Sequence, residues 1–256
     1  MTAKNELPTQ PLLEHLHELK KRLIYCLLAF FVTSGVSYYF AAEIYGFLVQ
    51  PLADAFPSPE HRRLIYTGLT EAFMTYLKLA VFAGFFLSFP VIATQLYLFL
   101  APGLYKKERR ALVPYLVAAP SLFIAGAAFV YYLIFPAAWR FFLGFESAGL
   151  NGGLPIQLEA KVSDYLSLAM HLMMAFGLSF QLPVVLILLV RSGMVALDTL
   201  KRGRRYAIVL IVTVAAFITP PDIFSQIALS VPLYILYEIS ILLCRNVNKE
   251  TEEVEE

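Results

Sequence analysis

The chain is poor in the residues on which cross-linked folds and metal centres depend. Cys26 and Cys244 are the only cysteines among 256 residues, which excludes a disulfide framework and a four-thiolate metal site. Of the four histidines, His15 and His17 stand two apart and point to different helix faces, so zinc and haem spacings are absent. Charge is scarce as well. Charged residues make up 15% of the chain, against about 25% in soluble proteins, and the net charge of +1 gives no reason to expect nucleic acid. Sought and not found are HExxH, a serine nucleophile in a Gly-rich turn, and a phosphate-cradling loop. Without these motifs no catalytic role and no cofactor is expected. What the chain does have is apolar bulk: 59% hydrophobic residues, 21 Phe and 15 Tyr, with a mean hydropathy of +0.68. A soluble globule of this length leaves roughly a quarter of its surface in water, so the solvent that suits this composition is a bilayer.

Charge-free windows at 23–42, 79–105, 111–139 and 165–190 each supply the ~20 residues that a spanning helix needs. Two shorter windows follow at 206–221 and 223–237, the second continuing past Glu238 to Cys244. The expected fold is an all-α polytopic membrane protein of six transmembrane helices, with helices 5 and 6 short. Thr219-Pro220-Pro221-Asp222 forces a tight reversal between these two, whose tip is expected to sit below the outer surface, where the bilayer thins. Prolines at 90, 114, 120, 183 and 232 fall inside helices, where each removes a hydrogen bond and bends the axis; so many bends predict a kinked, concave bundle. As a single membrane domain, the chain divides into a cytoplasmic amphipathic amino terminus (1–22), a six-helix region (23–245) and a disordered acidic tail (246–256). The polar first 22 residues do not resemble a cleavable signal. Long outer loops at about 43–73 and 140–164 are expected to form short interfacial helices.

Lysine and arginine set the orientation. Four precede the first span, four lie in 106–110, five in 191–205 and two in the tail, whereas the opposite side holds only Arg62, Arg63, Arg140 and Lys161. Both termini are therefore expected in the cytoplasm.

A few polar groups stand in unusual places. Glu18 lies beside Lys20, Lys21 and Arg22, and Glu108 sits within Lys106-Lys107-Glu108-Arg109-Arg110. Each acid is either an ordinary member of a surface charge network or a carboxylate offered to a cationic ligand, best matched by a guanidinium through two parallel hydrogen bonds. Gln181 interrupts an apolar stretch and must find partners there. Glu238 is an ionisable group near the end of the sixth span, either functional or snorkelling to the interface. Asp222 is placed to cap the sixth helix.

Ordered strings then become recognisable. Leu16-His17-Glu18-Leu19-Lys20-Lys21-Arg22-Leu23 resembles the amino-terminal motif of the TatC family, the multispanning receptor of the twin-arginine translocase. Phe99-Leu100-Ala101-Pro102-Gly103-Leu104-Tyr105-Lys106-Lys107-Glu108-Arg109-Arg110 is similar to its first cytoplasmic loop, and Ala175-Phe176-Gly177-Leu178-Ser179-Phe180-Gln181-Leu182-Pro183 to its fourth helix. Thr219-Pro220-Pro221-Asp222-Ile223-Phe224-Ser225-Gln226 is similar to its hairpin between helices 5 and 6. The resemblance implies an inner-membrane receptor for twin-arginine signal peptides of folded proteins, driven by the proton-motive force. It implies as partners the single-span TatA and TatB proteins, the lipid bilayer, and self-association within the complex. By the same resemblance Glu18 and Glu108 contact the paired arginines, Phe99 lines the receptor patch, and Lys20 supports it where the family commonly has Arg. Pro51, Tyr131, Asp222 and Gln226 match positions where function is sensitive, and Thr219 and Gln226 belong to a polar cluster that docks a partner helix. Many members carry Glu where this chain has Gln181, an amide that cannot titrate. An alternative is a small proton-coupled secondary transporter with Glu238, His171 and Gln181 at its midplane, although the repeated halves of such proteins are not visible; a third is a structural assembly scaffold.

Overall fold

The structure is a computed structural model that describes residues 12–56, 63–100, 113–147, 154, 156–191, 193–218 and 223–255. The apolar windows become helices, but the first begins well before its window. Helix α1 runs from Leu12 to Tyr39, so the polar residues from Glu14 to Arg22 form its first turns. Helix α2 (Ala41–Ala55) follows almost without a break and is the helix expected in the first outer loop. Helix α3 (Glu71–Leu100) returns beside α1. The third span is composite: α4 (Val113–Phe129), a π-helical turn at Val130–Ile134, and α5 (Phe135–Leu143). The fourth is α6 (Val162–Ser179) and α7 (Leu182–Arg191), broken at Phe180 and Gln181 just ahead of Pro183. Pro183 has no N–H to give the Ser179 carbonyl four residues back, and its ring crowds that carbonyl, which puts the break there.

After the short α8 (Leu197–Arg202) come α9 (Arg204–Ile218) and α10 (Ile223–Glu255). Among the described residues, five helical runs are long and apolar enough to cross a bilayer: Leu16–Tyr39, Glu71–Phe99, Tyr115–Leu143, Val162–Arg191 and Gln226–Arg245. The remaining one of the six is α9, whose 15 residues make roughly 22 Å of helix against a ~30 Å hydrocarbon core. The apolar part of α10 covers 20 residues, but the helix has 33 and continues through the acidic end to Glu255. Disorder was expected from residue 246 onward. Lys and Glu are strong helix formers, and they let a helix already anchored in the bundle continue.

The second outer loop forms no helix among the described residues. Gly149, Gly152, Gly153 and Pro155 make it a poor helix former, and its described parts pair as isolated bridges, Ser147 with Ile156 and Ile65 with Lys161. Ile65 N–H donates to Ala160 C=O at 3.0 Å, and Val162 N–H donates to Ile65 C=O at 2.9 Å. Arg63 pairs with Glu159 at 2.7 Å. Glu71, at the start of α3, accepts hydrogen bonds from Thr67 N–H, Gly68 N–H and Ser163 O–H. These bonds tie the two outer loops into one layer.

Lipid tails are as apolar as leucine, so helices in a bilayer associate through close packing and hydrogen bonds. Along the α1–α3 contact, Thr33 Oγ1 donates to Gly84 C=O at 2.8 Å, and a Cβ on Gly84 would lie 2.6 Å from Ser34 Cα. A glycine is required there because one backbone lies against the other. The main core joins α2, the π-turn, α5 and α6 to α9 and α10 through Leu52, Val130, Phe135, Leu166, Ala215 and Leu229. A second cluster, with Phe123 stacked on Phe89 at 3.8 Å, joins α3, α4 and α7.

Candidate functional site

Because α1 and α3 run antiparallel, the first turns of α1 meet the last turns of α3. Glu18 and Arg22 are four residues apart on one face of α1, with the acid on the amino-terminal side, the favourable order for a helical pair. Arg22 Nε donates to Glu18 Oε1 at 3.0 Å, and Nη2 donates to the same oxygen. Arg22 Nη1 also reaches across to Gln95 Oε1 on α3 at 3.3 Å. The two charged side chains are 25% and 21% exposed, so water screens this pair less than it would a surface pair. Phe99 is half-buried one turn beyond Gln95 on the same face of α3. Glu18, Arg22, Gln95 and Phe99 thus belong to one patch where α1 crosses the end of α3.

Lys20 lies two residues from Glu18, on another face of α1, and is exposed with no ion pair among the described residues. With His17, Lys21, Ile24 and Tyr25 it lines a shallow groove beside the patch. Glu108 lies outside the described residues, as do Thr219 and Asp222. Glu18 and Phe99 stood out in the sequence, whereas Arg22 and Gln95 did not stand out as members of this patch. The four-residue spacing signalled Arg22; an isolated amide in an apolar run was the only sign of Gln95.

The other singled-out residues are distributed elsewhere. Pro51 lies inside α2 and is buried. It has no N–H to give the carbonyl four residues back, that of Phe47, and Tyr131 O–H donates to this oxygen at 2.8 Å. The Tyr131 and Phe47 rings stack at 4.3 Å, and Tyr165 O–H donates to Leu48 C=O at 2.7 Å. Pro51 and Tyr131 are therefore the two halves of one joint between α2 and the third span. Gln181, at the break in the fourth span, donates through Nε2 to Ala119 C=O of α4 at 2.9 Å. Gln226 donates to Val212 C=O at 3.4 Å, between α10 and α9.

Glu238 on α10 meets Arg204 on α9 through both oxygens, Oε2 from Nη2 at 2.9 Å and Oε1 from Nε at 2.9 Å. Tyr234 O–H adds a third bond at 3.0 Å. His171 is exposed and bonded to Ser167 C=O of its own helix. Glu238, His171 and Gln181 are thus satisfied by separate neighbours and do not form the common midplane site that a transporter requires.

The profile described as "Sec-independent protein translocase protein (TatC)" matches residues 14–232. A Sec-independent protein translocase protein TatC of Rickettsia prowazekii (strain Madrid E) is 47% identical over 231 residues, covering 90% of this chain and 91% of that one. Its counterpart in Magnetococcus marinus is 43% identical over 245 residues, covering 96% and 88%. A crystal structure of the twin-arginine translocase receptor TatC superposes with a TM-score of 0.77 at 35% identity, covering 91% of this chain and 99% of that one.

Proposed function

From the premise that the chain belongs to the TatC family of Sec-independent protein translocase proteins, we propose that its amino-terminal patch is the docking site for twin-arginine signal peptides of folded proteins. Glu18 and Glu108 grip the paired guanidinium groups, Phe99 lines the floor, and Lys20 contributes positive charge at the rim. The observation that carries this reading is the engagement of Glu18 itself. Its carboxylate already accepts two N–H groups of one guanidinium, that of Arg22, both at Oε1, so the acid engages a group of the ligand's own chemistry. Two arginines are costly to bury in a bilayer, and carboxylates at its surface answer that cost.

The peptide approaches from the cytoplasm. Lys20, Lys21, Arg22, Arg191, Lys201, Arg202, Arg204 and Arg205 gather at the end of the bundle that carries the patch. Arg63, Arg140 and Lys161 sit at the other end among acids. This asymmetry supports a reading in which the chain lies in the inner membrane with both termini facing the cytoplasm. Folded cargo is wider than any pore six helices enclose, so the chain acts as a non-enzymatic receptor and organiser. The passage forms with single-span TatA- and TatB-type proteins and further copies of this chain, and the proton-motive force supplies the energy.

The test is photocrosslinking in native membranes. A twin-arginine peptide should label residues around Glu18 and Glu108 and recover single-span partners, and Glu108→Gln should reduce the yield at least several-fold. Equal binding of twin-arginine and twin-lysine peptides by the unmutated chain would sink the receptor reading.

A further inference from the structure

Resting on the receptor reading, we infer that Arg22 is a resident competitor that occupies the Glu18 carboxylate until a signal guanidinium replaces it. In the structure Glu18 is not held open for a ligand: Oε1 accepts Nε and Nη2 of Arg22, and Arg22 Nη1 is secured to Gln95 on the neighbouring helix. Both charges are about three-quarters shielded, so a bare carboxylate there would be costly, and the resident arginine removes that cost in the empty state. A ligand that takes both oxygens must therefore exchange with Arg22 at Oε1 rather than add to a vacant acid. An incoming guanidinium restores the two N–H contacts that Arg22 gives up. An ammonium presents a point charge with no fork of parallel donors, so it loses in the exchange. Gln95 remains a hydrogen-bond partner for Arg22 once Glu18 is taken, which keeps the displaced head near the patch.

Exchange makes a prediction whose sign differs from that of a supporting role. The resident competitor sets the same threshold for every cation, so weakening it strengthens twin-arginine and twin-lysine peptides by the same factor and leaves their ratio unchanged. If Arg22 merely held Glu18 in position, weakening it would reduce twin-arginine binding instead. Arg22→Lys keeps the charge and removes the second of the two donors to Oε1. In the full chain in lipid nanodiscs it should raise the affinity of both peptides about three- to tenfold. Unchanged or weaker twin-arginine binding would overturn the proposal.

A second measurement uses the unmutated chain labelled with 15N-arginine. The Nε–H resonance of Arg22 should shift on saturation with twin-arginine peptide and stay put with twin-lysine peptide at the same concentration. A resonance unmoved by bound twin-arginine peptide would likewise overturn exchange. Failure of the receptor reading has a separate signature, namely that the unmutated chain shows no preference for twin-arginine peptide, or that Glu18→Gln leaves its binding intact.

Discussion

At Gln181 a single amide does a job that a carboxylate in its place could perform only when protonated. Its Nε2 donates to Ala119 C=O across the break in the fourth span, and a charged carboxylate has no hydrogen to offer a carbonyl. Gln181→Leu should cost about 0.5–1.5 kcal/mol of stability, the worth of one interhelical hydrogen bond in a bilayer, measurable by thermal unfolding in detergent. Gln181→Glu should match the parent at acid pH, where the carboxyl carries its proton, and fall below it at neutral pH. A flat difference across that range would show that the bond to Ala119 does not matter. That this amide needed a partner was legible in the sequence; which carbonyl supplied it depended on how α4 crosses α6. The same limit applied to Arg22. Its spacing from Glu18 could be read directly, but Gln95, 73 residues further on, could be assigned only once α1 and α3 lay antiparallel.

The elements show where hydropathy is informative and where it is silent. Windows free of charge marked each span because the cost of burying charge in lipid is large. They did not mark where helices start, since water tolerates a helix as readily as a coil, and α1 therefore begins at Leu12 rather than at residue 23. Nor did they separate a helical outer loop from an extended one. The first became α2, while the glycines of the second favoured paired extended segments. The joint between α2 and the third span gives these elements a quantitative test. Tyr131→Phe should cost about 1–2 kcal/mol, because it leaves the Phe47 carbonyl without its partner. Pro51→Ala restores an N–H to that carbonyl, so in this background the same change should cost about half as much. Additive effects in the four-member thermal-stability cycle would mean the two residues act independently.

For the whole molecule, the six spans do not share one length. Helix α9 falls roughly 8 Å short of a ~30 Å core, and Arg204 at its start is fixed to Glu238, so the shortfall belongs to its Ile218 end. We expect the surrounding lipid to thin there. Reconstituted into bilayers of increasing acyl length, the protein should lose thermal stability steadily beyond the usual core thickness. Lengthening α9 by one turn of leucines after Ala215 should shift that optimum to thicker membranes. An optimum that ignores the insertion would show that α9 is not the limiting span.

The pairing of α1 with α3 has a consequence for biogenesis. Helix α1 is complete at Tyr39, but its main partner does not end until Leu100. At ~5–20 residues per second, the newborn first span waits several seconds among lipids while the ribosome makes α2, the outer loop and α3. Its outward leucines and phenylalanines, such as Leu23, Leu28 and Phe31, suit it to that wait. Thr33 and Ser34 then stand ready for Gly84 to arrive, and the two spans close as a hairpin within the membrane.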